Sequence, residues 1–476
     1  MSNASSNRSA EHLAAIRNDP KAIYDIPTEE LFAIEWEDLE ALQLELAQRQ
    51  FRALRPRIAV LDRLATEVGV DQIATIDDLV PLGLPHTFYK SYSAGDIKKK
   101  RFDGLTSWLA SLSAYDLSQI DVDGCANVEE WLLRIEAATP MRPVSSSGTS
   151  GKISFVPRGI PEDVAQVAMF VRFFEPYGDE YGIDIRKGDV PFLCPWPSDS
   201  GRQAFINTID NLRKSHYASH PELIKTVGQG RITADELLLA SKVSRAESLG
   251  EELILDEDEA SIAERVAARN RAMPDRVDRY VDDVLAKMAG RKVVLFGFWT
   301  QLYQLAVACK AKGIVIDWSP DSFVVSGGGT KGFVFPDGWR DVIAEVFPYP
   351  LREVYGMSET TAGGVCCSNG HIHTLQWGIK HVVDPESGVP LPRTGVQTGR
   401  LLVHDLMAES MWPTTLTGDL VTINFDGGCG CGRKGPYLLN NIQRLSEAQG
   451  GDDKITCAKT PQAYERLEAF ALGELS

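Results

Sequence analysis

No apolar run in this chain approaches the roughly 20 residues needed to cross a bilayer. The opening stretch, MSNASSNRSAEH, also lacks the apolar centre of a secretory signal. Basic residues are in deficit, 49 Lys and Arg against 66 Asp and Glu, for a formal charge of -17. The resulting field repels polyanions, which excludes nucleic acid and anionic membrane as principal partners. Cysteine is sparse, 8 in 476 residues. Without a secretory signal that usage predicts reduced thiols in a cytoplasmic protein rather than a disulfide framework, with Cys125, Cys194 and Cys309 as small buried residues. No internal repeat and no low-complexity linker interrupts the chain. Hydrophobic residues at 43% and charged residues at 24% are ordinary for a folded globular protein.

The pattern changes three times along the chain. Residues 1 to about 20 read as a loose tail within a mainly helical N-terminal layer, 1–140. There PTEELFAIEWEDLEALQLELAQRQFRAL (27–54) spaces apolar residues three and four apart behind an acidic start. From 141 to 364 short apolar strands alternate with helices: RVDRYVDDVLAKMAG and WTQLYQLAVACKAKG are glycine-ended helices, while RKVVLFGF, IVID and SFVVSGGGT are strands. That alternation predicts an α/β core with a mainly parallel sheet and covering helices, binding ligands beyond the carboxyl ends of its strands. A β-rich subdomain over 365–443 contains HVVD, GRLLVHD and GDLVTINF. The remainder, 444–476, reads as a short C-terminal lid with a strand-like KITC and a helix, PQAYERLEAFAL.

The segment SSSGTSGK (145–152) places five hydroxyl side chains, two glycines and a lysine in eight positions. Backbone amides and hydroxyls can cradle phosphate oxygens, and lysine supplies charge. It is not an ATPase P-loop: only two residues separate Gly148 from Gly151, and Ile153 stands where a magnesium-binding Ser or Thr would be. The plain alternative is a polar turn. Three further motifs follow in order: SGGG (326–329) at the end of one strand, YGMSET (355–360) at the end of the next, and TGDL (417–420).

This ordered set resembles the adenylate-forming superfamily of acyl-CoA synthetases and adenylation domains. With CCSNGHIH, CGCGRKGP and the trailing IQR and DDKI, it is similar to the phenylacetate-CoA ligase and acyl-protein synthetase branch over about residues 140–460. The resemblance implies that Ser146, Ser147, Gly148, Thr149, Ser150, Gly151 and Lys152 close over ATP phosphates. It implies further that Gly327, Gly328 and Gly329 leave flat space beside adenine, that Tyr355, followed by Gly356 and Met357, packs on that base, and that Thr360 or Ser358 bonds near the α-phosphate. Glu359 would bind Mg2+, since a hard cation takes carboxylate and phosphate oxygens. Asp419 would accept both ribose hydroxyls. Arg444 would precede the lid hinge, with Asp452 or Asp453 as the hinge acid. The chain departs from the pattern in having Gln443 where glycine is usual, a wider gap before DDK, and a short segment after Arg444 in which Lys454 and Lys459 stand too near the hinge to serve as a lid lysine.

Cys367, His373, Cys429 and Cys431 form a thiolate and imidazole set of the kind that closes a structural zinc site, with His371 or Cys366 as substitutes. The alternative is reduced cysteines on glycine-rich turns. Cys457 would be either an acyl-carrying thiol, as acyl-protein synthetases place near the C-terminus, or a buried strand residue. Trp196, Phe298 and Trp299 could line an acid-binding pocket or pack in the core. These readings predict ATP- and Mg2+-dependent activation of an aryl or fatty acid as its acyl-adenylate. The acyl group would then pass to a thiol: coenzyme A first, an acyl carrier protein or an enzyme cysteine second. The rivals are transfer to an amine and a non-catalytic nucleotide- or acyl-binding regulator.

Overall fold

Residues 2–18 have little apolar character, yet they form a helix, α1 (Ser2–Asn18), rather than the loose tail expected. Ile16 is buried, and His12 Nε2 and Arg17 Nε meet Glu30 and Glu45 at 2.7 and 2.8 Å. Tertiary contact stabilises such a helix where propensity alone does not. The computed structural model describes residues 2–146, 152–228, 230–329, 333–445 and 461–475. The chain divides into two compact units, Met1–Val144 with Ser154–Met169 and Met357–Ser476, and Ser145–Ile153 with Phe170–Gly356. Among the described residues no helix is long and apolar enough to cross a membrane.

In the first unit the helical run over 27–54 breaks into α2 (Thr28–Phe32) and α3 (Trp36–Leu54). Helix α3 buries Leu39, Leu42, Leu46, Phe51 and Leu54, the stripe its spacing dictates. Helices α4 (Ala59–Val68), α5 (Phe102–Ser111) and α6 (Val128–Ala138) follow the same rule. Between α4 and α5 lies a two-residue strand, β1 (Leu84–Pro85).

The second unit is built on five parallel strands: β2 (Phe192–Cys194), β3 (Ile224–Thr226), β4 (Val294–Phe296), β5 (Phe323–Gly327) and β6 (Leu351–Tyr355). Their spatial order is β3-β2-β4-β5-β6. Both faces are covered, which is why β2, β4 and β5 read as unbroken apolar runs. One face packs Leu302 and Leu305 of a helix, α7 (Trp299–Lys312), and Ile343 of another, α8 (Trp339–Val346), on Leu295 and Val324. The other carries Phe170 and Phe174 on Phe192 and Phe296, with ring centroids 5.0–5.8 Å apart. Helix α7 ends on Gly313 in the left-handed conformation, φ 66°. The segment IVID, expected as a strand, has no ladder partner among the described residues. Its Val315 is 84% exposed, and the nearby anchor is Trp318, which donates Nε1–H to the Leu285 carbonyl at 3.1 Å.

Beyond residue 356 the first unit resumes with antiparallel strands: β7 (Gly364–Cys366), β8 (Ile372–Thr374), β9 (Gly378–Val383), β10 (Val396–Asp405), β11 (Thr414–Asn424), β12 (Tyr437–Leu438) and β13 (Gln443–Arg444). They lie in the order β9-β10-β11-β12-β8-β7, with β13 antiparallel and β1 parallel to β11. A final helix, α9 (Pro461–Ala471), matches the one read from the sequence, and KITC lies outside the described residues.

Candidate functional site

In the second unit, Gly327, Gly328 and Gly329 form the turn that leaves β5. A Cβ on Gly327 would collide with the Val354 carbonyl oxygen of the neighbouring strand; on Gly328, at φ +74°, it would stand 3.1 Å from the Phe298 ring; on Gly329 it would meet nothing within 4 Å among the described residues. Two glycines are therefore demanded by close approach and the third borders open space. Tyr355 and Gly356 end β6, and a Cβ on Gly356 would be 3.5 Å from Phe205 and 3.6 Å from Phe173. Phe205 also meets Phe298, 5.3 Å between centroids, and Phe298 meets Trp196 at 4.7 Å. The sequence singled out Trp196 and Phe298 but not Phe205 or Phe173. Trp299 does not join them: it packs in the α7 core, against Trp339 at 5.2 Å with the Arg340 guanidinium above it. Ser146 and Lys152 are half-buried; Ser147, Gly148, Thr149, Ser150 and Gly151 lie outside the described residues.

The first unit holds the rest of the YGMSET turn. Met357 and Glu359 are each 9% exposed, Thr360 2%, and Ser358 is half-buried. The Thr360 hydroxyl is engaged internally, donating to Asp405 at 3.1 Å and accepting the Ala362 amide at 3.0 Å. Glu359 has no hydrogen-bond or ion-pair partner among the described residues. It acts on the buried Arg158 guanidinium electrostatically without touching it, and a carboxylate that makes no direct contact is available to a divalent cation.

Asp419, 7% exposed, sits in the middle of β11, opposite Arg444 of β13. Arg444 Nε lies 3.3 Å from Asp419 Oδ1, but the arginine side chain is 47% exposed, so solvent screens the pair. The backbone at Gly418 is crowded from two sides: a Cβ there would be 3.0 Å from Arg444 Nη1 and 3.0 Å from His86 Cε1. His86 follows β1, whose pairing of Leu84 with Thr415 delivers it there. No motif in the sequence marks His86; only the parallel pairing over more than 300 residues places it. Asp452, Asp453 and Cys457 lie outside the described residues.

A separate cluster joins two turns of the first unit. The ligand atoms of Cys367, His373, Cys429 and Cys431 all lie within 4.8 Å of one another. The first turn connects β7 and β8, closed by the Cys367 amide donating to the His371 carbonyl at 2.8 Å. In the second, Gly428, Gly430 and Gly432 take φ of 74°, 81° and 94°, a conformation that favours glycine and turns both thiols inward. Asn369 donates to the Cys429 carbonyl at 2.7 Å, tying turn to turn. Cys367 Sγ is 3.5 Å from Cys429 Sγ, and Cys431 Sγ is 3.4 Å from His373 Nε2. His371 also reaches Cys429, 3.1 Å from Nδ1 to Sγ, while stacking on Tyr437 at 4.6 Å. Cys366 instead points its thiol at the Cys367 carbonyl. Burial, with Cys367 and Cys431 alongside, pushes the Cys429 thiol up to about 12. A coordinated cation would reverse that by deprotonating it. Three thiols and one imidazole, largely buried, fit a closed tetrahedral zinc site.

No protein-family model and no curated protein matches the chain. A solved structure of 2-hydroxyisobutyryl-CoA ligase, in an open conformation with 2-HIB-AMP and CoA, superposes at a TM-score of 0.52 and 14% identity. The match covers 87% of this chain and 76% of that one. An ATP-bound RpMatB-BxBclM chimera matches at TM-score 0.35 and 14% identity over 63% of this chain and 47% of that one. The amide bond synthetase McbA from Marinactinospora thermotolerans matches at 0.34 and 14% over 83% and 78%. These last two carry no weight in the assignment. On the first of these matches, the chain has the adenylate-forming ligase fold.

Proposed function

We propose that this chain activates a carboxylic acid with ATP and Mg2+ as an acyl-adenylate and passes the acyl group to a thiol, coenzyme A being the first choice. The observation that carries this reading is Glu359, a buried residue whose carboxylate makes no hydrogen bond or ion pair among the described residues, in the motif turn of a chain with this fold. A carboxylate oxygen of the acid attacks the α-phosphorus in line. The new acyl-oxygen-to-phosphorus bond forms as the bond to the departing pyrophosphate breaks, and the thiol later displaces AMP. Lys152 neutralises phosphate charge, Asp419 holds the ribose hydroxyls, and Arg444 guards that contact. Mg2+, held by Glu359, supplies charge neutralisation at the phosphates. Trp196, Phe205 and Phe298 give the second unit an apolar aromatic cluster beside Gly328, suited to an aryl or aliphatic acid.

Pyrophosphate release measured across aryl and aliphatic acids, with coenzyme A and with hydroxylamine as acceptors, tests the reading. Release with at least one acid is expected, and its absence with every acid overturns it. Zinc belongs to the same proposal as a structural ion on Cys367, His373, Cys429 and Cys431, which together leave no open coordination position. Elemental analysis of protein purified without chelator should give one zinc per chain; none would remove the ion from the reading.

A further inference from the structure

Arg158 is 1% exposed, and no carboxylate lies within ion-pair distance of its guanidinium among the described residues. Among the described residues its side chain donates Nη1–H to Gln166 Oε1 at 2.6 Å and Nη2–H to the Thr360 carbonyl at 3.1 Å. Asp163, Asp405, Glu162 and Glu359 compensate its charge from beyond ion-pair distance, an arrangement that leaves its donors free for neutral acceptors. The Thr360 carbonyl belongs to the residue immediately after Glu359. Asp405, 2% exposed, grips the same turn from another side. Its Oδ2 accepts the Thr361 amide at 2.5 Å and the Thr361 and Thr360 hydroxyls at 2.7 and 3.1 Å, while Oδ1 accepts the Met407 amide at 3.0 Å. Trp377, fully buried, donates Nε1–H to the Thr361 carbonyl at 2.9 Å.

The backbone of residues 360 and 361 is thus held by three buried side chains from three separate segments, while the Glu359 carboxylate makes no hydrogen bond or ion pair among the described residues. Such an arrangement fixes the origin of a ligand side chain and leaves its carboxylate available. We propose that Arg158 and Asp405 are positioning residues that preorganise the Glu359 turn for a divalent cation; the proposal rests on the adenylating role assigned to that turn. Arg158 belongs to no motif the sequence singled out, and Asp405 stood out only as the end of the strand-like run GRLLVHD. They act through Thr360 and Thr361 and need not touch the nucleotide. Partners that orient a metal-binding side chain are commonly worth about 10–100-fold in metal affinity.

The test uses the full chain and four variants: Arg158→Gln, Arg158→Lys, Asp405→Asn and Thr361→Val. Mn2+ binding in the presence of ATP, followed by electron paramagnetic resonance, is measured beside the Mg2+ concentration that half-saturates pyrophosphate release. ATP affinity in EDTA and near-UV circular dichroism report nucleotide binding without metal and the integrity of packing. The expected result is Mn2+ affinity weakened about tenfold or more in Arg158→Gln and Asp405→Asn. Thr361→Val, which removes one hydroxyl donor and keeps its shape, should weaken less. Arg158→Lys keeps a donor for the Thr360 carbonyl and should recover most of the loss, with ATP affinity in EDTA at the parental value throughout. Folded variants with parental Mn2+ affinity, or a loss of ATP affinity in EDTA equal to that for Mn2+, overturn the proposal. Failure of the adenylating role is distinct: the parent then releases no pyrophosphate with any acid, although the Mn2+ measurement still decides whether the clamp serves a cation. A parent that binds no Mn2+ with ATP overturns both.

Discussion

The Glu359 turn and the two cysteine turns are short loops at strand ends of one unit, but their polar atoms are satisfied in opposite ways. Asp405, Arg158 and Trp377 supply hydrogen bonds to the backbone and hydroxyls of residues 360 and 361. That turn is organised by the protein and leaves one carboxylate, the one proposed to take an exchangeable cation, outside its hydrogen bonds. In the cysteine turns, backbone hydrogen bonds and Asn369 shape the loops, but three thiols and an imidazole face one another with no buried side chain of another segment among the described residues to satisfy them as Asp405 satisfies Thr360 and Thr361. On the proposed reading, the difference separates a turn that would be ready before its metal arrives from one that the metal would complete.

The largest expected effect breaks the first half of that comparison. Glu359→Gln should lower pyrophosphate release by roughly 1,000-fold, about 4 kcal/mol of transition-state stabilisation. Its melting temperature should stay within a few degrees of the parent, because the carboxylate makes no hydrogen bond or ion pair among the described residues and acts on Arg158 only at a distance. A parallel fall in melting temperature would show that Glu359 is structural. The converse holds for the cysteine turns: Cys429→Ser should abolish zinc content and lower stability by about 3 kcal/mol, roughly 5 °C in a unit of this size. Calorimetry with metal analysis reads both, and a chelator should act on the parent in the same direction.

Acid sharpens the comparison by destabilising a buried group that belongs to neither turn. His404 is fully buried, its Nδ1 2.7 Å from the Thr414 hydroxyl, and burial pushes its pKa down to about 3. Below about 6.5 the unfolded chain takes up a proton that the folded chain refuses. Stability is therefore full above that value and falls as the pH drops toward 3. At pH 5 the loss is about 2 kcal/mol. Urea midpoints at pH 7 and pH 5 should differ accordingly, and His404→Gln should flatten part of the slope; an unchanged slope would assign it to other groups. The smallest effect lies in the second unit. Gly328→Ala forces a side chain onto φ +74° and against Phe298. The expected cost is about 1 kcal/mol, with a weaker effect on nucleotide binding than on stability. Equal denaturation midpoints for this variant and the parent would show that the turn relaxes.

Much of this was legible in the residues. The glycine turn at 326–329, the strand before YGMSET and the β-rich strands around TGDL are local features, written as apolar runs ended by glycine. The four-residue cysteine and histidine set was legible for the same reason: each turn is a short motif, and only their meeting needed the fold. IVID misled because an apolar stretch of four does not reveal whether a neighbouring strand is available to pair with it. The helix at 2–18 was missed because its stabilising partners, Glu30 and Glu45, lie on later elements.

The sequence by itself determined the motif order, the residue types at each turn and the glycine positions, because steric and hydrogen-bonding demands on a loop are met by neighbours in the chain. Tertiary structure alone decided the surroundings of those turns. It brought Arg158 and Asp405 onto one turn from 202 and 45 residues away from Thr360 and carried His86 to Gly418. It also placed Trp299 in the core rather than beside Phe298. Hydrogen bonds and burial of this kind depend on which strands become neighbours. Strand order is set by the packing of the whole sheet, and no local pattern encodes it.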